Sequence, residues 1–269
     1  MFVTRLMSGI LLVIIAAASI VLGGNIMFGV VAAISFIGLY ELYRVFHLEK
    51  DVLGGLGYLF TAVYYVLLYL GHKEYVTELL IAFLICMLAV YVFTYPKYRS
   101  EHIMTGLFGM VYVVFMLSYL YQVRTIPFGA YLTGLVFFCA WGCDTCAYVV
   151  GLTMGKHRLA PVLSPKKSIE GAIGGVVGAA LLGAIYGAVC EHFGWIAIEG
   201  NLVIVFAVLC GAGAVISQIG DLAASAIKRN HDIKDYGTLI PGHGGILDRF
   251  DSIIITAPII YTLASIMMH

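Results

Sequence analysis

Nine apolar stretches, each close to the length of a bilayer crossing, take up most of this chain: roughly residues 6–22, 26–46, 54–71, 78–95, 103–121, 127–150, 169–190, 202–226 and 247–268. A helix needs about 20 such residues to cross the hydrocarbon, where no water satisfies backbone N–H and C=O groups. The chain is 62% hydrophobic and 11% charged, against about 25% charged in soluble domains. The expectation is therefore an all-α polytopic integral membrane protein with about nine transmembrane helices. Arg5 before the first run imitates a secretory signal, but that run leads through Gly23-Gly24-Asn25 straight into a second span. A retained helical hairpin is the reading. A formal net charge of zero gives no basic field for nucleic acid, and none is expected as a partner.

Lys and Arg are distributed unevenly between alternate loops. The N-terminus and the loops after spans two, four, six and eight hold thirteen: Arg5, Arg44, Lys50, Lys97, Arg99, Lys156, Arg158, Lys166, Lys167, Lys228, Arg229, Lys234 and Arg249. The other loops hold Lys73 and Arg124. By the positive-inside rule the basic loops face the cytoplasm and His269 lies outside, as expected of a protein of the inner or plasma membrane. The six cysteines sit in apolar stretches and read as small buried hydrophobes, including the Cys143-x-x-Cys146 pair.

Against this apolar background, Ser217–Ser252 carries nine charged residues. Ser217, Asp221, Ser225 and Lys228 or Arg229 recur at spacings of three and four, so they share a helix face. Asp248, Asp251 and Ser252 do the same after a glycine-containing loop. Carboxylates on two helix faces would hold a hard cation, and Lys and Arg would neutralise phosphate. Asp144 lies deep in span six, where a carboxylate is costly and a functional role is the default expectation. After it, Ser164-Pro165-Lys166-Lys167-Ser168 leads into span seven. Ser168 is placed to cap that helix, with Lys166 and Lys167 beside an N-terminus that favours phosphate. Glu41 reads as an interfacial ion pair with Arg44. The tyrosines of spans three to five read as interface belts and packing. In span seven the pairs Gly171/Gly175, Gly174/Gly178 and Gly183/Gly187 permit close contact with a neighbouring helix or with a second subunit.

The string Ser225, Ile227, Lys228-Arg229, Lys234-Asp235, His243-Gly244-Gly245 and Asp248-Arg249-Phe250-Asp251 resembles the signature of the phosphatidate cytidylyltransferases, the CDP-diacylglycerol synthases. Asp144-Thr145, Ala147-Tyr148 and the stretch Ser164–Gly171 are similar to further motifs of that family, and the resemblance spans essentially the whole chain. It implies an enzyme that joins CTP and phosphatidate to give CDP-diacylglycerol and diphosphate. The expected roles follow. Asp144, Asp221 and Asp248 would hold magnesium, with a second cation left open. Lys228 and Arg249 would act in catalysis. Lys166, Lys167, Ser225, Arg229, His243, Gly244, Gly245 and Asp251 would bind substrate or support the site, with backbone N–H groups at Gly244-Gly245 approaching the nucleotide. The helices of 1–102 would form an N-terminal region and 103–269 the catalytic region, in a homodimer. Two other readings stay open on the residues alone: a CTP-dependent lipid or polyisoprenol kinase, and an ion or solute transporter using Asp144, Asp221 and Glu41.

Overall fold

The computed structural model describes residues 2–198 and 200–268, with side chains from Met7 onward. Among the described residues nine long helices follow one another: α1 (Phe2–Leu22), α2 (Gly24–Val45), α3 (Val52–Leu70), α4 (Val76–Phe93), α5 (Ser100–Thr125), α6 (Gly129–Met154), α7 (Ile169–His192), α8 (Leu202–Asn230) and α9 (Leu247–Met267). Each expected span falls on one of them. Eight segments are long and apolar enough to cross a membrane, and the described part of α1, Met7–Leu22, is a shorter apolar helix. The side chain of Arg5, and His269, lie outside the described residues.

Two departures from simple helices shape the surroundings of the charged residues. Met110–Phe115 in α5 and Phe138–Gly142 in α6 are π-helical turns. In addition, the basic stretch after α6, read from sequence as a loop, contains an antiparallel hairpin of β1 (Arg158–Ala160) and β2 (Ser164–Ser168). Glu170 ties the hairpin base by accepting from the backbone N–H groups of Lys156 (3.1 Å) and His157 (3.2 Å). It also meets His157 Nδ1 at 2.6 Å.

The chain gathers into two compact units that do not follow chain order. The first comprises residues up to Ile15, then Gly24–Ser118 and Asp235–Arg249. Its interior is rich in tyrosines, and several hydroxyls find partners, as buried polar groups require. Tyr43 donates to the Gly106 carbonyl at 3.0 Å, Tyr64 meets Ser118 Oγ at 2.6 Å, and Tyr65 meets Ser35 Oγ at 2.6 Å. By burial Tyr64, Tyr65 and Tyr112 are core residues, whereas Tyr69 and Tyr95 are exposed.

The second unit comprises Ala16–Gly23, Tyr119–Lys234 and Phe250–His269. The glycines of α7 explain its packing. A Cβ at Gly171, Gly174, Gly175 or Gly178 would strike Ala147, Val150, Cys143 or Cys146 of α6. A Cβ at Gly183 or Gly187 would strike Phe206, Cys210 or Leu202 of α8. Both glycine faces are thus filled by the chain's own helices, so these residues supply no argument for a subunit contact. Cys139, Cys143, Cys190 and Cys210 are buried as free thiols.

Candidate active site

The close approach of α6 to α7 sets up a cavity in the second unit. Gly151 and Gly171 face each other, and Ser168 Oγ accepts from the Gly171 N–H at 3.1 Å, capping α7 as its position in the sequence suggests. Lys166 and Lys167 therefore arrive at the helix N-terminus on β2. The cavity they line, of about 670 Å³, is also bordered by Asp144, Arg158, Gln218 and Asp221. Lys167 Nζ forms an ion pair with Asp221 Oδ2, both side chains being about three-quarters buried. Lys166 is exposed at the rim.

Gln218 was not singled out in the sequence, yet it helps orient α8. Its Nε2 donates to the Ala172 carbonyl of α7 at 2.9 Å and to Cys143 Sγ of α6 at 3.3 Å. Asp221 lies three residues further on, on the same face, and is turned toward the cavity. An amide at mid-helix with the spacing Gln218/Asp221 was the available signal.

Asp251 joins this group more closely than expected. Gly220 lets α8 approach α9 closely, since its Cβ would lie 3.0 Å from the Asp251 carbonyl and 3.4 Å from Ser252 Cα. The buried Asp251 carboxylate lies in electrostatic range of Asp221, Lys228 and Asp144. Its Oδ1 accepts from the Ser252 N–H at 2.7 Å. Ser225 and Lys228 are half-buried on α8, one and two turns beyond Asp221. Arg229 is exposed and donates to the Ile233 carbonyl at 3.2 Å.

The remaining signature residues belong to the first unit. Asp248, 6% exposed in the first turn of α9, accepts through Oδ2 from the N–H groups of Tyr236 (2.7 Å) and Gly245 (2.9 Å). The Gly245 N–H is therefore taken by the protein, which narrows the expectation that it contacts nucleotide. Gly244 adopts φ +86°, a conformation that favours glycine. Ser8 Oγ donates to the Pro241 carbonyl (3.1 Å) and lies 2.8 Å from His243 Nδ1. Arg249 is part-buried, with its Nε in the interior.

Glu41 and Arg44 do not form the ion pair read from sequence. Each turns to this loop. Glu41 accepts from the N–H groups of Ile246 (3.1 Å) and Leu247 (2.8 Å), and Arg44 Nη2 donates to the Tyr236 carbonyl at 2.5 Å.

Hard carboxylate oxygens suit a divalent cation, which would compete with the Lys167 ammonium for Asp221. Among the described residues, no three His, Cys, Asp or Glu side chains are placed to ligate one ion together. That is compatible with magnesium, which typically uses one or two carboxylates and completes its shell with water and substrate phosphates.

A model described as the cytidylyltransferase family matches residues 3–267. A phosphatidate cytidylyltransferase of Bacillus subtilis is 30% identical over 274 residues, covering 97% of this chain and 97% of the relative. One from Thermotoga maritima is 31% identical over 242 residues, 90% of this chain and 88% of the relative. One from Synechocystis is 29% identical over 292 residues, 98% and 97% respectively.

Proposed function

Because the chain belongs to the cytidylyltransferase family, we propose that its Lys167–Asp221 cavity is where CTP and a lipid phosphate are brought to reaction. The protein is a membrane-integral nucleotidyltransferase, and its substrates are CTP and phosphatidate, which give CDP-diacylglycerol and diphosphate. The observation that carries the assignment to this cavity is the Lys167–Asp221 ion pair lining it together with Asp144, Lys166 and Arg158.

A phosphate oxygen of the lipid attacks the α-phosphorus of CTP, and the bond to the diphosphate leaving group breaks. Lipid phosphate is already ionised near neutral pH, so no strong general base is required. Asp221, with Asp144 and Asp251 in electrostatic range, would hold magnesium, while a part for Asp248 rests on the signature alone. When bound, the ion neutralises phosphate charge and polarises the α-phosphate. Lys167, beside Asp221 in the cavity, would turn its ammonium to the phosphates alongside Lys166 and Arg158. Lys228 would balance Asp251 and Arg229 would receive diphosphate charge, while a part for Arg249, like that for Asp248, rests on the signature alone. Gln218 fixes the angle of α8, and with it the aim of Asp221.

The cytoplasmic orientation of these basic loops is supported by the thirteen-to-two asymmetry in Lys and Arg. The test is turnover of purified protein with phosphatidate and CTP labelled at either end. Label from the α-phosphate should enter the lipid, and label from the γ-phosphate should leave in diphosphate. Transfer of γ-label to lipid would instead make the protein a kinase.

A further inference from the structure

Glu41 stands outside the signature, about 200 residues away in sequence, yet it holds the signature loop by the backbone. Its two oxygens accept from two successive N–H groups, Oε1 from Ile246 and Oε2 from Leu247. The side chain is 3% exposed. The chain leaves room for it on both sides, because a Cβ at Gly237 or at Gly245 would overlap its carboxylate. Asp248 holds the same strip of backbone through the N–H groups of Tyr236 and Gly245. Arg44, three residues along α2, holds the Tyr236 carbonyl.

From this geometry we infer that Glu41 is a positioning residue for the reaction, setting the register of His243–Asp248 at the start of α9. The inference rests on the part in metal and substrate binding that the signature implies for that loop. Capping alone would not require an acid here. A Ser or Asn can satisfy the first N–H groups of a helix, and a buried carboxylate in a membrane span is expensive. What the acid adds is a two-point grip. Two oxygens on two consecutive N–H groups fix the rotation of the peptides between Gly245 and Leu247, and so the direction in which Asp248 leaves α9. Glu41 itself touches no substrate.

Glu41→Gln keeps the shape and one acceptor, but sets an amide N–H against a backbone N–H. In the full-length protein, the KM for CTP and the magnesium concentration for half-maximal rate should rise about ten- to a hundred-fold, equivalent to about 1.4–2.8 kcal/mol of lost binding. The kcat at saturating CTP and magnesium should fall much less, with the unfolding temperature near that of the parent. A variant with parental KM and magnesium dependence overturns the inference, whatever its yield. Should Glu41→Gln fold poorly, Gly245→Ala supplies a second measurement. It should show the same rise in KM, and adding Glu41→Asp, which withdraws the carboxylate by one methylene, should restore part of the loss. An equal KM penalty for Gly245→Ala with Glu41 or with Asp at that position also overturns it. Asp248→Asn, measured alongside, separates the two ideas. Parental behaviour of Asp248→Asn removes Asp248 from the metal reading, while the CTP dependence of Glu41→Gln still decides the positioning role.

Discussion

Lys167 Nζ rests on Asp221 Oδ2, joining the hairpin before α7 to the middle of the signature helix α8. One residue is a candidate phosphate ligand and the other a candidate metal ligand, and each neutralises the other. Each keeps about a quarter of its side chain exposed, so water reaches both charges when the pair opens. Each end of the contact is open to substitution.

Asp221→Asn keeps the size of the side chain and removes the charge. Turnover is expected to drop by about a hundred- to a thousand-fold, the scale for loss of one transition-state electrostatic contact. Raising magnesium should recover part of it. Initial rates against magnesium, with thermal unfolding in detergent as the control for folding, provide the check. Parental rates would remove α8 from the chemistry.

Lys167→Ala should weaken use of CTP or lipid phosphate by about 1.5–3 kcal/mol, the worth of a charge-assisted hydrogen bond. Lys166→Ala, at the exposed rim, should cost less. Side-by-side kcat/KM values read the ranking. If both variants turn over normally at low CTP, these lysines serve topology only.

Gln218→Leu removes the donor shared by the Ala172 carbonyl and Cys143 Sγ. The Ala172 carbonyl keeps its helical N–H donor, so the loss is that of one ordinary hydrogen bond, about 0.5–1.5 kcal/mol, and the unfolding temperature should fall modestly. The kcat should fall as well, because the face carrying Asp221 loses its tie to α6 and α7. A variant that is less stable but catalytically normal would make Gln218 a packing residue.

Topology is open to labelling. In a cysteine-free background, Val162→Cys, in the hairpin loop and 84% exposed, should react with an impermeant thiol reagent only after lysis. His72→Cys, between α3 and α4, should react on intact cells. The reverse pattern would invert the orientation taken from Lys and Arg.

How much of this was legible in the sequence depends on the range of the interaction. The nine helices could be read because apolar runs of membrane length are a local property, and the Ser168 cap because it spans three residues. The Asp221 face was likewise visible in its spacing. The Glu41 carboxylate looked like the near-neighbour partner of Arg44 because an i, i+3 spacing is all that local reading offers. Its actual partners lie about 200 residues away and are backbone N–H groups, which carry no sequence mark. Asp248 and Asp251 posed a related problem. They sit three apart on one helix, and spacing alone could not tell that Asp248 would bind loop backbone while Asp251 neighbours Asp221. The hairpin was missed because Arg158–Ser168, rich in basic residues and proline, lacks the alternation of a half-buried strand.

The π-helical turn at Phe138–Gly142 immediately precedes Asp144. Such a turn accommodates one extra residue without ending the helix, and everything after it is rotated by about 100° relative to an uninterrupted α-helix. The aim of Asp144 is thus a matter of chain length as well as of side-chain identity. A chain one residue shorter between Phe138 and Gly142 would hydrogen-bond more regularly and remain as apolar, yet it would present a different face to Asp221. In this stretch, a deletion that perfects the helix should be more harmful than many substitutions that leave the count alone.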